Sequence, residues 1–195
     1  MSESPSAVIG QVSADGQFRW DGIQWVPIPR TEREPTPWTR PMQLAAAGLL
    51  TVEAIVSVGV IAIYYNHDAV KKTLDAAGTQ IPQGVTEDQM IGFTIAGAVG
   101  FAVVLGLIEL FGALGALLRW RWIFWYVLVL MALGCLASIF GLAGLFRPSS
   151  LASSPVPIAG SIAEEVVAVA AIPMFVWMLI GVVRFGPWAM KRPGA

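Results

Sequence analysis

The sequence predicts an all-α membrane protein, a four-transmembrane-helix bundle preceded by a short N-terminal cytoplasmic β-hairpin. Three observations predict this class: the composition, four long apolar runs and the distribution of lysine and arginine. Of the 195 residues, 56% are hydrophobic and only 13% are charged, whereas a soluble domain carries about 25% charged residues. The chain therefore lacks the polar surface that a soluble domain of this size needs.

The first apolar run shows why a membrane span is expected. Residues 42–65 carry a single charge, Glu53, near the middle of the run. As a helix, the run reaches roughly 36 Å, enough to cross a hydrocarbon core of about 30 Å. The predicted spans are 42–65, 90–118, 122–146 and 162–185. They divide the chain into a tail (1–41), a transmembrane domain (42–185) and a second tail (186–195).

The N-terminal tail contains a hairpin signal at about 17–26. Asp21-Gly22 lies between two aromatic-rich runs and predicts a two-residue turn, because both residues tolerate the positive φ of a type I′ turn. That register sets Phe18 opposite Trp25 and Trp20 opposite Ile23, so all four share one face. Because an isolated hairpin is marginal in water, this face should pack on something. Two interpretations stay open: packing on the neighbouring prolines or the membrane surface, and docking of a protein partner.

Helix boundaries between the spans are marked by local signals. Thr86 and Gln89 have the spacing of a capping box and predict the start of the second span. Ser161 and Glu164 have the same spacing and predict the start of the fourth span. Pro173 predicts a kink inside that fourth helix. A Pro-rich linker of mixed charge, 30–41, separates the hairpin from the first span.

Lysine and arginine near the span ends predict the orientation. Eight lie on the side that carries both termini and three on the other side. Cytoplasmic segments carry the excess of positive charge, so both termini should be cytoplasmic, in the plasma membrane. The eight are Arg30, Arg33, Arg40, Arg119, Arg121, Arg184, Lys191 and Arg192; the three are Lys71, Lys72 and Arg147. Aromatic residues near the same ends suit an interfacial belt: Trp38, Trp120, Trp122, Trp125, Tyr126 and Trp188.

The sequence contains almost none of the motifs of enzymes. It has no Gly-rich phosphate loop, no nucleophile elbow and no His/Cys/Glu set with metal spacing. The single cysteine, Cys135, lies in an apolar run, and the single histidine, His67, has no obvious partner. A net charge of −1 argues against nucleic-acid binding. We therefore expect no catalytic residues, no cofactor, no metal and no nucleic-acid partner.

Two acidic residues within the spans are the most informative polar residues. An ionisable side chain inside the membrane is costly unless it is neutral, paired or facing water. Glu53 and Glu109 are expected within about 8 Å of each other in depth. Three roles stay open: bonding between helices, a proton or cation path, and a contact with another subunit. Glu164 and Glu165 are expected in a first helical turn, where acids are common.

Small residues recur in the spans at the spacing that lets helix backbones approach closely. The pairs are Ala96-x-x-x-Gly100, Gly112-x-x-x-Ala116 and Gly134-x-x-x-Ser138. Packing within one bundle and a dimer face both fit this pattern.

Several of these features together resemble a known class. They are Trp20-Asp21-Gly22-x-x-Trp25 followed by Val26-Pro27, the loop sequence of residues 64–90 and the Arg-Trp turn after the second span. This layout resembles a diffuse class of uncharacterised four-span membrane proteins from actinobacteria, over most of the chain. The resemblance implies architecture and host. Glu53 is also similar in placement to the membrane-embedded Glu of small multidrug-resistance transporters, although this chain is longer and adds the hairpin and a long first loop.

We therefore expect a non-enzymatic interaction, scaffold or accessory subunit of a membrane complex. Its partners would be the lipid bilayer and either another protein or a second copy of the chain. The candidate partner-binding residues are Phe18, Trp20, Ile23 and Trp25. The alternative is a small proton- or cation-coupled transporter that uses Glu53. A membrane-bound enzyme acting on lipid through Glu109 or His67 is a third interpretation.

Overall fold

The structure is a computed structural model that describes residues 8–29, 32–146 and 154–193. Arg30 and Arg147, two of the cations used above to predict orientation, lie outside the described residues. So does much of the connection that precedes the fourth span.

Four long helices form the body of the molecule and confirm the predicted bundle. They are α1 (Thr39–Tyr64), α3 (Glu87–Leu117), α4 (Ile123–Leu145) and α5 (Ile158–Phe185). Each is long and apolar enough to cross a membrane. A shorter helix, α2 (His67–Ala77), lies between α1 and α3 in the chain.

The helix starts test the two predicted capping boxes. The Thr86 hydroxyl accepts a hydrogen bond from the Gln89 N–H at 3.3 Å, and the Gln89 side chain accepts one from the Thr86 N–H at 3.0 Å. This capping box is confirmed. The second is wrong, because α5 begins at Ile158, directly after the extended Pro157. Pro157 is the N-cap residue, with an extended backbone (φ −68°, ψ 161°), and no side chain caps this helix start.

Small residues bring neighbouring helices together inside the bundle. Gly106 of α3 lies beside Ala54 and Val58 of α1, and Gly134 of α4 lies beside Ala171 of α5. A Cβ at Gly160 of α5 would lie 2.9 Å from the Tyr64 ring of α1. These contacts make α1 antiparallel to α3 and α5, and α4 antiparallel to α5. The Gly134 motif therefore serves packing within the bundle.

The hydrophobic core lies in the half of the bundle nearer the termini. It draws on the start of α1, the end of α3, the first half of α4 and the second half of α5. Trp188, which follows α5 in the chain, is also part of it and is fully buried. We call this end of the bundle the termini side and the end that carries α2 the loop side.

The hairpin forms with a different register from the predicted one. Its strands are β1 (Phe18–Trp20) and β2 (Trp25–Pro27). Trp20 is opposite Trp25 and Phe18 is opposite Pro27, so the loop has four residues, 21–24, instead of two. The Asp21 carboxylate explains the wider loop, since it accepts hydrogen bonds from the N–H groups of Ile23 at 2.8 Å and Gln24 at 2.7 Å. The loop also uses the positive φ of Gly22, 105°.

The two tails pair with each other on the termini side. Strand β3 (Glu34–Pro35) is antiparallel to β4 (Met190–Lys191). A short 3₁₀ turn, Pro187–Ala189, joins α5 to β4. The hydroxyl groups of Thr36 and Thr39 both donate to the Ala189 carbonyl, at 2.7 and 2.9 Å. The linker before α1 and the tail after α5 therefore form one small structure.

Candidate functional site

The hairpin exposes three large apolar side chains, Phe18 and Trp25 on its strands and Ile23 in its loop, which together we call the hairpin surface. Phe18 is 36% exposed, Trp25 41% and Ile23 87%. Phe18 and Trp25 line one open depression of about 460 Å³. Trp20 is half-buried behind them, with its ring centroid 5.5 Å from that of Trp25. Of the four predicted partner-binding residues, three lie together on one face. Ile23 lies instead in the loop, because the wider loop removes it from the strand.

Ion pairs brace this hairpin against the linker. The Arg19 guanidinium lies 2.8 Å from a Glu32 carboxylate oxygen and 3.3 Å from one of Glu34. Arg19 alternates with Phe18 and Trp20 along β1, so it belongs to the opposite face. Since Glu34 also lies in the strand that pairs with the C-terminal tail, these contacts link the hairpin to the termini side of the bundle.

Trp188 fastens the C-terminal tail to the bundle. Its indole N–H donates to the Trp120 carbonyl at 3.1 Å, and its ring meets that of Phe124 edge-on at 5.2 Å. Its φ is 56°, in the left-handed region that costs a non-glycine residue energy. The interfacial belt predicted from the sequence is wrong for Trp188, which is fully buried, whereas Trp122 and Trp125 are exposed.

Glu53 and Glu109 occupy one layer of the α1–α3 contact. Gly106 of α3 lies beside Ala54, and Gly112 lies beside Leu50. Glu109 stands one helical turn from each glycine, at the level of Glu53. The two carboxyl groups are close enough to interact electrostatically. The α1–α3 contacts therefore bring the two residues to a similar level along the bundle.

Tyr126 of α4 completes this carboxyl layer. Its hydroxyl donates to the Ile108 carbonyl at 2.9 Å, and it lies within electrostatic reach of Glu109. One Glu109 oxygen, Oε2, is buried and has no hydrogen-bond partner within the described part of the chain. From its place near a span end, the sequence predicted Tyr126 in the interfacial belt. No local pattern shows that its side chain faces α3 instead.

Two further polar side chains are buried in the bundle. Glu165 is 8% exposed and its carboxyl group packs on Gly141 of α4. The predicted first-turn position is wrong for Glu165, since α5 begins seven residues earlier. Gln43 of α1 is fully buried, and neither end of its amide has a hydrogen-bond partner among the residues described. The position of the Gln43 amide inside an apolar run was the sequence feature that could have indicated its burial.

The loop side gives His67 a partner that the sequence did not reveal. His67 Nε2 lies 3.2 Å from Asp88 Oδ1, and Lys71 forms an ion pair with Glu87. Both contacts arise because α2 packs against the start of α3. His67 and Asp88 are 21 residues apart in the chain. Both side chains of the histidine pair are exposed. In the described ranges, no group of three or more His, Cys, Asp or Glu residues could hold a metal ion.

The fold and these sites define a class: an integral, multi-pass membrane protein with four spanning helices, carboxyl groups inside the bundle and a braced aromatic hairpin at one end. Comparison of the chain with family models, curated proteins and solved structures found no match.

Proposed function

We propose that the protein is a non-enzymatic interaction or accessory subunit of a membrane complex, and that the hairpin surface docks a protein partner. The main support for this role is that the apolar side chains of the hairpin surface stay exposed, although contacts with the linker order the hairpin. Phe18, Ile23 and Trp25 are all more than a third exposed. Aromatic anchors of this kind supply much of the binding energy at protein interfaces.

The bracing of the hairpin supports this role. Arg19 holds β1 to Glu32 and Glu34, and β3 is paired with the C-terminal tail. A surface that is already ordered loses less conformational entropy when it binds. The free hairpin would otherwise be marginal, so this framework makes a rigid docking element from a short sequence.

The proposed setting is the plasma membrane with both termini cytoplasmic. It is supported by the excess of lysine and arginine on the termini side, which follows the positive-inside rule. The hairpin surface would then meet a cytoplasmic protein or the cytoplasmic part of a membrane protein. Membership of the actinobacterial four-span class stays a prediction.

Site-specific photocrosslinking in the native membrane tests the docking role. A photoreactive amino acid at position 23 should crosslink to one protein in a fixed ratio, and the double variant Phe18→Ala/Trp25→Ala should lose that protein on gentle purification. Ile81→Ala is the matched control, because Ile81 is 44% exposed but lies in the connection after α2. A partner that the double variant retains would overturn the docking role, and thermal unfolding of each variant would show that the bundle is intact.

The carboxyl layer favours a second candidate, a proton- or cation-coupled transporter. Two neighbouring carboxyl groups in a low-dielectric layer bind and release protons as a coupled pair, and intramembrane acids commonly mark proton paths. Glu53, Glu109 and Tyr126 supply such a set across α1, α3 and α4.

Proton uptake into proteoliposomes under a potassium-diffusion potential tests this second candidate. The wild-type protein should exceed protein-free vesicles, and Glu53→Gln should remove the difference. Glu165→Gln is the matched control, because Glu165 is a bundle carboxyl in the α4–α5 contact. Uptake equal to that of empty vesicles, or an unchanged rate in Glu53→Gln, would remove the proton-coupled candidate.

A further inference from the structure

Pairing of the two tails brings two arginines into opposition. In the β3–β4 register, Glu34 is opposite Lys191 and Pro35 is opposite Met190. Arg33 and Arg192 are the residues next to the Glu34–Lys191 pair on the two segments, and both line one open depression. Like charges that face each other across paired segments repel. An anion bound in the depression would reduce this repulsion.

A third arginine joins this pair from the turn between α3 and α4. The hydrogen bond from Trp188 to the Trp120 carbonyl fastens that turn to the C-terminal tail, and Arg121 is the next residue. Burial, followed by the neighbouring charges of Arg121 and Arg192, lowers the pKa of Arg33 below its ordinary value. Three segments far apart in sequence thus contribute one cluster of positive charge.

The nearby carboxylates have other partners. Glu32 and Glu34 both pair with Arg19, at 2.8 and 3.3 Å. Asp15 lines the same depression as Arg33 and Arg192, and its carboxylate accepts hydrogen bonds from Ser13 and Gln17. Within the described ranges, no ion pair joins Arg33, Arg121 or Arg192 to a carboxylate. The Arg33 guanidinium donates to the backbone carbonyl of Glu32 at 3.3 Å. Arg121 and Arg192 are exposed.

Tryptophans set the depth of the arginine cluster. Trp120 and Trp122 flank Arg121, and their rings stack at 5.9 Å with an interplanar angle of 18°. Both rings are exposed at the ends of membrane-spanning helices. Tryptophan favours the headgroup level of a bilayer. Arg121 is therefore expected at the level of the lipid phosphates.

We propose that Arg33, Arg121 and Arg192 form a binding site for the phosphate of an anionic phospholipid on the termini side of the bundle. Guanidinium groups bind phosphate through paired, charge-assisted hydrogen bonds. A basic cluster beside a transmembrane helix is also the usual signature of recognition of anionic lipid. The lipid would relieve the repulsion between Arg33 and Arg192 and tie the two tails to the membrane surface.

Native mass spectrometry and thermal unfolding of the purified full chain test the site. Phosphatidylglycerol should bind and raise the unfolding temperature more than phosphatidylcholine does. The double variant Arg121→Gln/Arg192→Gln should bind phosphatidylglycerol roughly tenfold more weakly, since two charge-assisted contacts are removed. Lys71→Gln/Lys72→Gln removes the same charge on the loop side and should leave binding unchanged.

Two outcomes would overturn the proposal. The first is equal loss of binding in both double variants, which would show general charge attraction. The second is full protection by inorganic phosphate or glycerol phosphate alone, which would make a free phosphate the ligand. The unfolding temperature in phosphatidylcholine alone shows whether each variant is folded, and the two arginines changed are exposed, so the bundle should remain intact.

Discussion

Single glycines decide how closely the helices approach, and their surroundings differ sharply along α3. A Cβ at Gly115 would lie 2.5 Å from Ile123 Cγ1 and 3.1 Å from Ile123 Cβ. Ile123 is fully buried and β-branched, so it has little freedom to move away. A Cβ at Gly100 would meet no atom within 4 Å. Of the two glycines, therefore, only Gly115 is required for packing within one bundle.

This contrast predicts opposite effects of the same substitution. Gly115→Ala should lower the stability of the bundle by about 1–3 kcal/mol through overpacking against Ile123. Gly100→Ala is the control on the same helix and should be neutral or slightly stabilising, because alanine restricts the unfolded chain. Thermal unfolding of both variants in one detergent measures the difference. A large loss for Gly100→Ala would instead indicate that Gly100 packs against a second copy.

Two buried polar residues also show that the surroundings of a single residue depend on the neighbouring helices. Glu165 and Gln43 are both enclosed by neighbouring helices. Each has at least one polar atom with no partner in the described part of the chain. Burying such a group costs free energy, so these positions are retained at a cost to stability. They are the natural places to search for bound water or a polar ligand inside the bundle.

Among the elements, the hairpin depends most on one side chain. The Asp21 carboxylate accepts hydrogen bonds from the Gln24 and Ile23 N–H groups. These bonds, the one from Gln24 first, lower the pKa of Asp21 below its ordinary value of 3.8. A carboxyl group whose pKa is lower in the folded state stabilises that state above its unfolded pKa. The contribution is lost as pH falls through the lowered pKa.

The hairpin should therefore loosen in acid, at pH values below 3.8. The indole signals of Trp20 and Trp25 in the NMR spectrum of the full chain in micelles should report this change. Asp21→Asn should reduce this pH dependence, because the asparagine side chain does not titrate in this range. Asp15→Asn is the comparison: hydrogen bonds from Ser13 and Gln17 also lower the pKa of Asp15, but Asp15 lies outside the loop, so the part of the transition that depends on Asp21 should remain. An unchanged transition in Asp21→Asn would assign the effect to another group.

For the whole molecule, the pairing of the tails has consequences for topology. An antiparallel bundle of four spans brings both termini to one side, and the β3–β4 pair joins them there. The core is concentrated on that same side. The loop side depends instead on α2 and its contacts with the start of α3. The two ends of the molecule are therefore held by different kinds of contact.

Cysteine labelling in intact cells tests the predicted orientation. In a Cys135→Ser background, Thr79→Cys should react with a membrane-impermeant maleimide added outside, because residue 79 lies on the loop side. Ser13→Cys, in the N-terminal tail, should react only after the cells are opened. The reverse pattern would place the termini outside and would contradict the positive-inside interpretation.

The number of spans, their approximate limits and the Thr86 capping box could all be predicted from the sequence. These features are local, because a helix in lipid satisfies its backbone hydrogen bonds within its own segment. The depth of Glu53 and Glu109 also follows from counting along helices. The hairpin register could not be predicted, because the Asp21 carboxylate competes with the backbone turn.

Tertiary structure alone decided the rest. Residues far away in the chain bury Trp188 and Glu165 and provide the partner of His67. They also bring Arg121 and Arg192 near Arg33. Hydrophobic pattern specifies which segments enter the membrane, whereas helix packing and strand pairing specify which side chains meet. The hydrophobic pattern therefore determined a four-helix membrane protein, and the packing of its termini side determined where the hairpin surface and the arginine cluster lie.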